Sequence, residues 1–109
     1  MMAAIALSSL IGTWACATQD TKMKARYTFR ANQTGTLVWT GTRPLTVRRF
    51  TFRLYYDELE EDFTGPKAGV PELHTVKLRG NHLIDEVHVY LHEGIWTPYP
   101  MEVVLDCRR

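Results

Sequence analysis

The tightest constraint on this chain is a period of two. From Ile11 onward, apolar and polar side chains alternate in short runs separated by turn residues, with no helical run between any two of them. That is the pattern of strands with one buried face. Residues 11–18 put Trp14 and Cys16 on one face. Residues 24–31 set Ala25, Tyr27 and Phe29 against Arg26, Thr28 and Arg30. After a turn at Asn32–Gly35, Leu37 and Trp39 continue in phase, and Gly41–Pro44 forms the next turn, where Pro44 ends the ladder by its missing donor. Residues 45–56 form a long strand whose apolar parity changes between Val47 and Phe50, which predicts a β-bulge at Arg48–Arg49. Strands resume at 73–79. Beyond the Gly80–Asn81 turn, 82–93 carry Val87, Val89 and Leu91 in phase. Residues 94–100 read as a Trp- and Pro-bearing connection, and 101–108 close the chain with Met101, Val103, Leu105 and Cys107 inward.

One stretch breaks the rhythm. Residues 57–72 hold five acids in the six positions from Asp57 to Asp62, followed by two Pro and two Gly. They are expected as a long surface excursion, or a short acidic helix and a loop, placed to act as a lid. With seven to eight strands joined mostly by hairpin-length turns, the chain is expected to be all-β, an antiparallel up-and-down barrel formed by residues 1–109 as one domain. An open sandwich is the alternative. Twelve aromatic residues suit such a sheet.

The start, MMAAIALSSLIG, reads as a short helical lead-in that plugs one end of the barrel. It lacks a basic n-region and is interrupted by Ser8 and Ser9, so it is not read as a signal peptide. The compartment stays unassigned, with a slight preference for the cytoplasm. No run reaches the roughly 18 apolar residues that a membrane span needs. Cys16 and Cys107 fall in the first and last strands, which become neighbours on closure. They form either a bridge across nearly the whole chain or two buried thiols.

Two segments carry a resemblance. Gly12 and Trp14 within SLIGTW form a Gly-X-Trp, and YTFRANQTGTLVW at 27–39 places Tyr27, Phe29, Gly35 and Leu37 in a hairpin. Together, over about residues 9–54, these resemble the lipocalin-like small β-barrel proteins of the calycin type. The resemblance implies a barrel closed at the Trp end, with a basic residue from the last strand, Arg108 or Arg109, across that Trp by a cation–π contact. The chain is shorter than a full lipocalin and has no C-terminal helix, which argues against a large cavity.

An eight-stranded barrel is either filled by its own side chains or holds one small ligand. The many aromatics favour filling. If a pocket remains, Trp14, Tyr27, Phe29, Trp39 and Phe52 are its expected walls, and a small apolar or planar molecule is its expected guest.

Four histidines invite a metal reading. His82, His88 and His92 share one parity, but residues four apart on a strand lie about 13 Å apart, too far for one ion. Only His74 could join from another strand, so no metal site and no cofactor are assigned. The acids Asp57, Glu58, Glu60, Glu61 and Asp62 lack the spacing of a calcium loop and read as a solvated turn. No catalytic constellation emerges, and the chain is not expected to be an enzyme.

The charge is uneven: residues 1–56 hold eight basic groups and one acid, residues 57–109 five basic groups and eleven acids. Arg26, Arg30, Arg49 and Arg53 could line an outer stripe that meets an acidic partner or a second copy of the chain. No nucleic acid is expected, because the aromatics on those strands point inward. The leading expectation is a non-catalytic binding module. The alternative is a filled barrel that works through its charged surface, by protein interaction or self-association.

Overall fold

The computed structural model describes residues 5–20, 22–41, 45–65 and 70–109. A single helical turn, α1 (Leu7–Leu10), leads into eight strands: β1 (Gly12–Thr18), β2 (Lys24–Phe29), β3 (Thr34–Trp39), β4 (Thr46–Tyr55), β5 (Glu58–Thr64), β6 (Glu72–Arg79), β7 (His82–His92) and β8 (Ile95–Arg108). Each strand pairs antiparallel with the next, and β8 returns to β1, so the sheet closes into an up-and-down barrel. The open sandwich is thereby excluded. No helix among the described residues is long and apolar enough to cross a membrane.

The first part of the acidic stretch is not a lid. Glu58–Thr64 is a strand, paired with β4 from Tyr55↔Glu58 to Arg49↔Thr64. Leu59, Glu61 and Phe63 point inward, while Glu58, Glu60 and Asp62 point outward. Acids are poor strand formers, but here Glu60 faces Arg53 across the pair at 2.9 Å, a cross-strand contact that suits an outer face. Residues 66–69 of the expected lid, and Thr42–Pro44 of the expected turn, lie outside the described residues.

The bulge expected at Arg48–Arg49 is absent. The β3–β4 register runs unbroken from Thr34↔Thr51 to Trp39↔Thr46. The apolar parity changes along this strand because Arg48 shares the inward face of Phe50 and Phe52, while Val47 is exposed. Arg48 tolerates that position by laying its guanidinium over the Phe63 ring, 3.7 Å from the centroid. The register shifts instead at Leu73/His74 and between Val87 and Val89. Residues 95–100, expected as a connection, belong to β8. Glu93 and Gly94 take φ of 50° and 78°, the left-handed pair of a two-residue hairpin turn between His92 and Ile95.

One end of the barrel is closed and solid. Leu10 of α1 is fully buried, and its carbonyl accepts a hydrogen bond from Trp14 Nε1 at 3.0 Å. The Arg109 guanidinium lies over the Trp14 ring at 4.1 Å and donates to the Ile11 carbonyl at 2.9 Å. Gly12, at φ +135°, makes room for it, since a Cβ there would sit 3.3 Å from Arg109 Nη1. Behind Trp14, the rings of Tyr27, Phe29, Phe50, Phe52 and Phe63 meet mostly edge to face, with centroids 4.4–6.2 Å apart. A Cβ on Gly35 would fall into the Phe50 ring and against the Thr28 carbonyl, so this strand position requires glycine.

A disulfide joins Cys16 and Cys107, which face each other across the β1–β8 seam. It links positions 91 residues apart.

Candidate functional site

Toward the other end the filling stops. A cavity of about 300 Å³ opens there, at the small end of the range for ligand pockets. Its walls are mainly apolar, with Leu37, Trp39, Val87, Val103 and Leu105 among them. The irregularity in β7–β8 shapes this mouth. Val87 pairs with Val103 and Val89 with Pro98, so His88 alone opposes four residues, Tyr99 to Glu102. The extra length brings Tyr99, Met101 and Glu102 onto the cavity. Tyr99 packs edge-on against Tyr90, with centroids 5.7 Å apart. Burial, with Glu72 nearby, pushes its phenol pKa up, so the hydroxyl keeps its proton.

Glu61, Glu72 and His74 form the cavity floor, with Asp85 behind His74. Three consecutive strands each turn polar side chains inward where the alternation calls for apolar ones: Glu61 on β5, Glu72 and His74 on β6, and Asp85 on β7. All four are buried, Glu61 and Asp85 completely. Glu61 and Glu72 are direct cross-strand partners, and Asp85 faces Val76, one inward position along β6 from His74. His74 bridges two acids, donating from Nδ1 to Asp85 Oδ1 at 2.5 Å and from Nε2 to Glu72 Oε1 at 2.9 Å. Both ring nitrogens face a carboxylate, an arrangement that favours the doubly protonated imidazolium. Burial alone would lower the His74 pKa, but Asp85, Glu61 and Glu72 outweigh it and hold the value well above the ordinary one.

Glu61 is in the opposite position. Burial raises its pKa well above the usual carboxylate value, and the neighbouring Asp85 and Glu72 add to that against the pull of His74. Its carboxyl lies 3.9 Å from His74 Nε2, and neither of its oxygens has a hydrogen-bond partner. The hydroxyl of fully buried Tyr27, on the same cavity, is also unpaired. Unpaired buried polar groups are costly, roughly 1–3 kcal/mol each. Their concentration on one cavity is the signature of a site rather than of a core.

Compared with family models, curated proteins and solved structures, the chain matches none of them. The site is therefore read from its own chemistry. Of the expected walls, Tyr27 and Trp39 line the cavity, while Trp14, Phe29 and Phe52 pack in the solid core. Arg26, Arg30, Arg49 and Arg53 are all exposed, yet they do not make a continuous stripe across adjacent strands. β3 lies between β2 and β4 and presents Thr34, Thr36 and Val38 there, and Arg53 is paired with Glu60. His88 and His92 are exposed, and His82 pairs with Asp106 at 2.7 Å.

Glu61, Glu72, His74 and Asp85 escaped the sequence reading as a set. A signal was present: Glu61 is in phase with Leu59 and Phe63, and Asp85 with Leu83 and Val87. Treating 57–72 as a loop removed two of the four from any strand and hid their shared face.

Proposed function

We propose that the protein is a non-catalytic, lipocalin-like binding barrel that takes a small molecule with an apolar or planar body into its open end. The lipocalin-like reading is supported by the closed eight-stranded meander, the Gly12-X-Trp14 opening and the Arg109 guanidinium over Trp14. The observation that carries the binding reading is the cavity of about 300 Å³, with apolar walls above a floor of buried, unpaired polar atoms. Glu61 in its neutral form and the Tyr27 hydroxyl can each donate and accept a hydrogen bond. They suit a guest whose polar end is a hydroxyl or an amide and whose body packs against Leu37, Trp39 and Val103.

Size-matched aryl compounds ending in methyl, hydroxyl, amide or carboxylate test this, with Trp39 fluorescence and melting temperature as readouts in metal-free protein. The hydroxyl and amide compounds should bind best, and a cavity-filling Val103→Trp should abolish their binding. If none of the compounds perturbs either readout, the binding reading fails. Equal binding of the methyl compound would remove the floor from recognition.

A further inference from the structure

The floor has a second capacity, carried by different chemistry. His74 Nε2, one oxygen of Glu61 and one oxygen of Glu72 all lie within 4.8 Å of one another, and all three residues are buried. From these positions the geometry points to a binding site for a first-row divalent transition-metal ion, held by His74, Glu61 and Glu72 and facing the cavity.

Three observations support it. The first is spacing. Two ligands each 2.0–2.1 Å from an ion at a tetrahedral angle are about 3.3 Å apart. The separations from His74 Nε2, 2.9 Å to Glu72 and 3.9 Å to Glu61, straddle that value, so small side-chain rotations suffice. The second is orientation. Asp85 accepts from His74 Nδ1, the carboxylate–histidine arrangement that fixes a metal-binding imidazole and leaves Nε2 to the ion. The third is unmet bonding capacity. Both oxygens of fully buried Glu61 lack hydrogen-bond partners, as does the Tyr27 hydroxyl on the same cavity.

The donor set selects the class of ion. One imidazole and two carboxylates suit Zn²⁺, Fe²⁺, Mn²⁺ or Co²⁺ better than Ca²⁺ or Mg²⁺, which take all-oxygen shells. Three protein ligands leave the remaining coordination to the cavity, as in an open rather than a closed structural site. The inference does not depend on an organic guest, and none is present in its test, so failure of one reading is distinct from failure of the other.

The test is titration of chelator-treated protein with Co²⁺, read by visible absorption and by equilibrium dialysis, with Zn²⁺ as competitor. Wild type should take up one ion per chain. Glu61→Gln, nearly isosteric, and His74→Gln should each weaken uptake by at least about 100-fold, and Asp85→Asn by about 10–100-fold. A triple variant of the surface histidines, His82→Gln with His88→Ala and His92→Ala, should bind like wild type. Circular dichroism establishes that each variant is folded, and Glu61→Gln decides the matter if His74→Gln does not fold. The inference is overturned if folded wild type takes up no ion, if Glu61→Gln binds as wild type does, or if uptake disappears with the surface histidines.

Discussion

The two halves of this barrel are built by the same alternation and put to opposite use. At the closed end every inward position is spent on packing: Leu10, Trp14 and Phe29 are buried and in contact, and Arg109 seals the outside of Trp14. Toward the open end the inward positions of β5, β6 and β7 go to Glu61, Glu72, His74 and Asp85. Buried acids of this kind stabilise a fold less than apolar residues of the same volume. The difference teaches where a small barrel can place a site. The closed end supplies enough burial that the open end is free to carry unpaired polar groups.

Breaking the seam should have the largest effect. A disulfide spanning 91 residues restricts the unfolded chain, and its removal in the double Cys16→Ser, Cys107→Ser variant is expected to cost about 4–5 kcal/mol in denaturant unfolding. A loss near zero would assign the stability to the aromatic filling alone. Within the filling, Phe50→Ala should cost about 3–5 kcal/mol by leaving a cavity among the rings. Val103→Ala on the cavity wall already borders open space and should cost about 1 kcal/mol. Similar values for the two would erase the contrast between the halves.

A pH series sharpens the comparison from the open end. Glu61 and His74 both hold their protons more tightly in the folded protein than at their ordinary values of 4.5 and 6.5. Their contribution to stability is therefore complete below those values and is lost as pH rises through the folded ones. Metal-free protein should melt progressively lower as pH rises above those ordinary values, and Glu61→Gln should flatten the decline. An unchanged slope in Glu61→Gln would remove Glu61 from the account. The smallest effect belongs to the outer surface: Arg53, whose side chain is 77% exposed, pairs with Glu60, and Arg53→Ala should cost under about 1 kcal/mol.

The barrel was readable in the sequence because alternation and turn residues are local, and Trp14, Tyr27, Phe29 and Leu105 fell on the inner face as their phase required. Arg48 and Glu61 were misread for one reason. Each is a charged residue at an inward phase, and a hydropathy pattern reports such a residue as a slip or a loop. The Glu93–Gly94 turn was missed because Trp96, Pro98 and Pro100 made the following stretch look irregular. The floor required knowing which strands are neighbours, since Glu61, His74 and Asp85 meet only once β5, β6 and β7 are paired.

The most direct test of the account is the unfolding free energy of Glu61→Leu against wild type, in chelator at neutral pH. If the open end gives up stability for binding, the variant should be more stable, by about 1–3 kcal/mol, with an unchanged denaturant slope. A variant less stable by 2 kcal/mol or more (on the order of a lost buried network) would show that the acids hold the barrel together, and would contradict the account.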